Sequence, residues 1–303
     1  MNFIKKSMSI VLFVVMISMT SFTSTVFAAG VVAEVDATPY MKTVYEKMLA
    51  LENYHADIAI QIQTSLMNVT VNNSSDIEVN PMRYKNDLQF MMMDTAHRSV
   101  KNNIEQYMEQ VDNQLISYTE MDGKWVKQTL PYINKKSGST TEVVDCMKLI
   151  KKAVVSGETD TEKIITVTMD NKVLKEMTMD ILIQSGKEYK DYVTFAENIF
   201  NSLGEISYVL NVDKNTNTVT HLTIDLSDTT QKSVLAILSQ STIPDKEKAQ
   251  LKSLFGSAKV TMDCVYSNFN QVNPVEIPQE VKENAVEQTV EQTASQAIVP
   301  STI

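Results

Sequence analysis

The sequence predicts an α+β fold: a curved antiparallel β-sheet, or half-barrel, covered on its concave face by inserted helices. Three observations carry this expectation. Apolar and polar residues alternate over long stretches between residues 54 and 130, the period of strands with one buried face. Segments with three- and four-residue apolar spacing arrive as insertions between strands, not in regular strand–helix alternation. Asp122-Gly123 joins two strand-like runs, and Asp-Gly is a strong hairpin signal because both turn residues must tolerate positive φ.

The elements follow in order. Met41, Val44, Tyr45, Met48 and Leu51 recur at helical spacing and predict a helix over 38–53. Residues 54–71 change to period two, with Ile58, Ile60 and Ile62 on one side and Ala59, Gln61 and Gln63 on the other. Asn72 to Ser75 reads as a turn cluster. A long strand is expected over 76–93, with Pro81 at an edge or bulge. Strands over 104–111 and 114–121, and a returning strand with Trp125, the single tryptophan, complete a meander of about five strands. Ser139 or Thr140 is positioned to cap a helix through Val155, with Glu142 in its first turn and Ser156-Gly157 at its end. Beyond it the pattern predicts a strand over 163–169, helices over 172–183 and 188–203, a hairpin over 205–227, helices over 229–240 and 245–255 split by Pro244, and a last strand over 258–268.

The first 28 residues read as a cleavable secretory signal. Lys5 and Lys6 precede the apolar run Ile10 to Ile17, and Val26-Phe27-Ala28 offers small residues for a cut after Ala28. The apolar run is too short to span a bilayer of about 30 Å. Residues 29–37 then form a linker, 38–283 one domain, and 284–303 a polar tail whose composition predicts disorder. The mature chain is expected to be secreted, with no stable membrane span.

Composition excludes several classes. Without residues 1–28 the chain holds 25 basic and 37 acidic residues, a net of −12. Such a surface is expected to repel nucleic acid and anionic lipid headgroups, because phosphate is gripped by clustered Lys and Arg. Three histidines are scattered, seven glycines are spread thinly, and no metal, serine-hydrolase, phosphate-loop or dinucleotide motif is present. The sequence thus offers no catalytic residue, no metal site and no cofactor site. Acidic residues such as Asp57, Asp76, Asp87 and Glu105 read as a solvated face. Eighteen methionines are many, and Met91-Met92-Met93 reads either as strand core or as a soft wall for an apolar ligand. Cys146 and Cys264 both fall on apolar faces, compatible with a disulfide or with two buried thiols.

Several tags carry a family resemblance. Leu51-Glu-Asn-Tyr-His-Ala-Asp, Tyr107-Met-Glu, Tyr118-Thr-Glu-Met-Asp-Gly-Lys-Trp-Val-Lys and Val275-Glu-Ile-Pro-Gln-Glu-Val-Lys-Glu-Asn-Ala resemble an uncharacterised secreted and lipoprotein family of Gram-positive bacteria. That family looks like the lipoprotein-carrier fold, LolA/LppX-like with RseB relatives. The resemblance implies a non-enzymatic extracytoplasmic protein holding a lipid-like or acyl ligand, or an RseB-like envelope sensor with a protein partner. The chain departs from many members in lacking a lipobox cysteine. The expected lining of the cavity is Ile58, Ile60, Ile62, Phe90, Met92 and Trp125, a set that equally describes a plain core.

Overall fold

The computed structural model describes residues 35–287 except 113, 122, 132–145, 185–196, 198–199, 202–203 and 242. Thirteen strands form one open sheet in the order β1-β8-β9-β10-β11-β12-β2-β3-β4-β5-β6-β7-β13. A six-strand meander supplies one half: β2 (Asn53–Gln63), β3 (Met67–Val79), β4 (Met82–Asp94), β5 (Ser99–Val111), β6 (Gln114–Met121) and β7 (Lys124–Pro131). Shorter strands supply the other: β8 (Ile150–Glu158), β9 (Glu162–Met169), β10 (Ser207–Asp213), β11 (Val219–Asp225) and β12 (Lys259–Ser267). Strand β12 joins the halves by pairing with both β11 and β2. At the edges lie β1 (Val35–Asp36), against β8, and β13 (Val286–Glu287), which is parallel to β7; the other pairings are antiparallel.

Among the described residues four helices pack on one face of the sheet, and a short fifth packs on the other. In α1 (Thr38–Leu49), Pro39 occupies the first turn, where a missing N–H costs nothing. Met41 and Val44 of this helix are fully buried against the sheet. Helix α2 (Asn171–Gln184) adds Leu174 and Met179 to the same core, which includes Ile165, Val167, Leu210, Val212, Ile224 and Met262. Helices α3 (Ser227–Gln240) and α4 (Asp245–Phe255) pack on each other through Val234, Leu238, Leu251, Leu254 and Phe255, with Met67 against them. A third, small cluster joins Tyr107 and Tyr118 to Val281 of the short helix α5 (Gln279–Asn284), with Trp125 and Ile116 alongside.

Several local expectations are corrected. Asn72 to Ser75 is not a turn but the middle of β3, paired on both sides. The turn falls earlier, where the Thr64 hydroxyl accepts the N–H groups of Leu66 and Met67 at 3.3 and 3.1 Å. Pro81 sits in the β3–β4 hairpin turn, neither on an edge nor at a bulge. Residues 150–155 are strand, not helix: Ala153 faces Val167 and Val155 faces Ile165 across β9, so sheet pairing of a β-branched run overrides helical spacing. Gly157 does not end a helix but lies at a register shift in β8, where an added Cβ would meet Ile164 at 3.2 Å. The expected cap at Ser139 or Thr140 and most of the 188–203 helix lie outside the described residues, as do the signal and linker before Val35. The tail is ordered as far as Glu287, because Val286 and Glu287 add to the edge of β7.

Candidate functional site

Register decides which side chains share a face, because directly opposed residues point the same way. Ile60, Val71 and Phe90 oppose one another across β2, β3 and β4, as do Ile62, Val69 and Met92. Ile58 lines up with Asn73, Leu88 and Ile104. These residues belong to the helix-bearing face, since Ile58, Leu88, Phe90 and Met92 pack against the main core. Five of the six expected lining residues are therefore brought together. They are not equivalent: Ile60 and Ile62 are closed core, whereas Ile58, Phe90 and Met92 are half-buried.

Trp125 is the exception. It opposes Glu120, while its neighbour Val126 opposes Thr119 and continues the helix-bearing face. The indole points to the other side and packs on Tyr107 with ring centroids 5.8 Å apart. Sequence periodicity fixes that alternate residues share a face but not which face meets the helices, and a shift by one inverts the assignment.

Between the apolar columns of the helix-bearing face runs a polar ladder that periodicity did not reveal. Asn73 Nδ2 donates to Ser75 Oγ at 2.9 Å, and Ser75 Oγ donates to Asn86 Oδ1 at 2.7 Å. Asn86 Nδ2 and the Tyr84 hydroxyl both donate to Gln106 Oε1, at 3.4 and 3.5 Å. Gln106 Nε2 then donates to Ser117 and Thr119, each at 3.1 Å. Asn73 Oδ1 is buried with no hydrogen-bond partner, set between Ile58 and Leu88. The arrangement is an apolar strip with a line of amide and hydroxyl groups across it, able to seat a chain-like ligand and accept a hydrogen bond from its polar end. The available signal was that Asn73, Ser75 and Asn86 occupy inward positions of strand-length runs; reading Asn72 to Ser75 as a turn hid it.

The outer face has different chemistry. An open trough of about 790 Å³ is lined by Asp57, Asp87, Glu105, Glu120 and Asp263, with Val265 in its wall. Beside it His55 Nδ1 lies 2.7 Å from Asp76, and its Nε2 lies 3.2 Å from Asp57 and 3.4 Å from Ser74 Oγ. Burial works to lower the His55 pKa, but hydrogen bonds with Asp76 and Asp57 and the charges of both outweigh it, so the pKa is raised. The Ser–His–Asp grouping resembles a triad only in composition. Ser74 gives its hydrogen to Asp57 at 2.7 Å rather than to the imidazole. The flanking backbone of β3 is paired on both sides, so its amides build no oxyanion hole. His221 Nε2 contacts Asp263 at 2.9 Å in a similar cross-strand pair. Among the described residues no three His, Cys, Asp or Glu side chains converge as metal ligands.

Cys146 and Cys264 are both thiols, with no disulfide between them. Burial pushes the Cys264 thiol up to about 12, so it packs as a small hydrophobe and not as a nucleophile.

The chain belongs to a family of unknown function (DUF6612). The family model matches residues 37–286, which takes in both halves of the sheet and the C-terminal segment. No curated protein matches this DUF6612 member. Among solved structures it is similar to the Mycobacterium tuberculosis lipoprotein LppX, at 11% identity and a TM-score of 0.40, over 79% of this chain and 97% of that one. It is also similar to a DUF1329 family protein from Desulfovibrio piger, at 8% identity and a TM-score of 0.25, over 81% and 97% of the two chains. No helix among its described residues is long and apolar enough to cross a membrane.

Proposed function

We propose that this protein is a non-enzymatic, extracytoplasmic binding protein that holds a lipid-like or acyl ligand between sheet and helices. The observation that carries the proposal is the half-buried strip of Ile58, Leu88, Phe90, Met92 and Ile104, crossed by the Asn73–Gln106 ladder. An acyl chain would gain by covering the strip, while the amide and hydroxyl groups of the ladder would hydrogen-bond its polar end. The Lys5–Ala28 pattern supports export. Native mass spectrometry of the mature protein from its own secretion route tests the reading. Extra mass that leaves on denaturation, and is regained when the delipidated protein meets a fatty acid or lipopeptide, is the expected result. A delipidated sample that takes up neither would sink it.

A second reading is an RseB-like envelope sensor that binds a protein partner and no small ligand. The acidic trough on the outer face favours it, since such a surface matches a basic segment of a partner. Recovery of a stoichiometric envelope protein with the apo form would bring this reading forward.

A further inference from the structure

The long hairpins β2–β3 and β4–β5 are chemically polarised along their length. Between Asp57 and Asp76, and between Asp87 and Glu105, they carry a single acid, Asp94. The bounding carboxylates lie toward the trough. The opposite end is apolar and basic. There Leu66 is 53% exposed, Val100 47%, Met91 39% and Met93 38%. Pairing places Met91 and Met93 together on the outer face, beside Leu66 of the adjoining turn, while Val100 lies on the helix-bearing side of the same tip. The turn residue Thr95 donates its N–H to Leu66 O at 3.1 Å, Met93 lies between Asn68 and Ser99, Met91 lies between Thr70 and Lys101, and Val100 opposes Met92.

Cations frame this end. Lys101 stands opposite Met91, Lys259 stands opposite Gln63 one strand beyond, and Arg98 projects from the turn with its side chain 84% exposed. Asp94 and Arg98 pair at 2.6 Å and cancel each other, which leaves Lys101 and Lys259 as the net positive charge of this end. The chain as a whole is strongly acidic, but charges farther away than about 8–10 Å are largely screened at ordinary salt, so local charge governs a contact made by this end. Exposed Leu and Met flanked by lysines form a surface that enters the headgroup region of an anionic bilayer.

We infer that the Leu66/Met91/Met93 end of the sheet docks on an anionic lipid surface. This goes beyond ligand holding and does not depend on it, because an empty protein presents the same patch. The test is flotation of the delipidated mature chain with vesicles of equal parts phosphatidylglycerol and phosphatidylcholine, and with phosphatidylcholine alone. The expected result is binding to the anionic vesicles, weakened severalfold at about 0.5 M salt. The double variant Leu66→Ser with Met93→Ser, both exposed and so free to fold, should bind about tenfold more weakly. Lys101→Glu with Lys259→Glu should lose severalfold on anionic vesicles. No flotation of the wild-type chain, equal flotation of the apolar double variant, or recruitment seen only when the vesicles carry envelope proteins would each overturn the inference. Acyl uptake by the same variants should be unchanged, so failure here and failure of the ligand reading are separable.

Discussion

The two halves of the sheet solve the same burial problem differently. In the β8–β12 half, strands of seven to nine residues are matched to the helices above them, and inward residues such as Ile165, Val167, Val212 and Ile224 are completely buried. In the β2–β7 half, strands of up to 13 residues extend about 40 Å, and inward residues such as Leu88, Phe90, Met92 and Ile104 remain half-buried. The first half, together with Ile60, Ile62, Val69 and Val71 of β2 and β3, holds the fold together. The second keeps apolar surface in reserve and crosses it with hydrogen-bonding groups, which is what a binding surface needs and a core does not.

The largest expected effect separates the halves directly. Ile224→Ala removes a fully enclosed side chain and should cost about 2–5 kcal/mol in urea unfolding. Phe90→Ala should cost only about 1–2 kcal/mol despite removing more atoms, because the ring is only half-buried. Equal losses would erase the distinction. Acyl uptake should respond in the opposite sense, falling with Phe90→Ala and surviving Ile224→Ala under conditions where that variant is folded.

Next in size is the polar ladder. Gln106 is its hub, accepting from Asn86 and Tyr84 and donating to Ser117 and Thr119. Gln106→Ala leaves groups on both neighbouring strands without a partner and should cost about 1–3 kcal/mol. A loss near zero would mean that the ladder is solvated and belongs to the surface.

A smaller effect tests the third cluster. Val281→Ala on α5 should cost about 1–2 kcal/mol and shift the emission of Trp125 to the red, since Val281 and Trp125 share a cluster. Ligand uptake on the other face should leave that emission unchanged. A ligand-induced shift would place the indole at the binding strip after all.

What the sequence made legible follows from this geometry. Where period, turn chemistry and burial agreed, elements were readable: Ile58, Ile60 and Ile62 on β2, Gly123 with its positive φ before β7, and the alternating Tyr208, Leu210 and Val212 on β10. Where a local signal competed with a distant partner, the partner won. Asn72 to Ser75 has turn composition, yet two flanking strands bind its backbone. Residues 150–155 have helical spacing, yet β1 and β9 claim them. Ile58, Phe90 and Met92 of the candidate strip were legible because spacing within one strand aligns them, whereas Leu88 and Ile104 were not singled out. The strip's polar members and the exclusion of Trp125 depend on cross-strand register, which no single segment encodes.

The smallest effect concerns the outer face of β2, where the halves meet. Because the His55 pKa is raised by Asp76 and Asp57 over the opposing effect of burial, its protonated form stabilises the fold. That contribution is fully present below the unfolded value of about 6.5 and is lost as pH rises through the folded value. Its size should stay below about 1 kcal/mol, because the carboxylates are solvent-exposed. An NMR titration should give His55 a midpoint above about 6.5, and Asp76→Asn should lower it. The stability gap between wild type and Asp76→Asn should shrink as pH rises. The same shift bears on chemistry. An imidazole that keeps its proton to higher pH is a poor base for Ser74, whose hydrogen already goes to Asp57, so a fluorophosphonate should leave Ser74 unlabelled. Labelling of Ser74, or stability that climbs with pH through this window, would turn the outer face from a solvated surface into a candidate catalytic one.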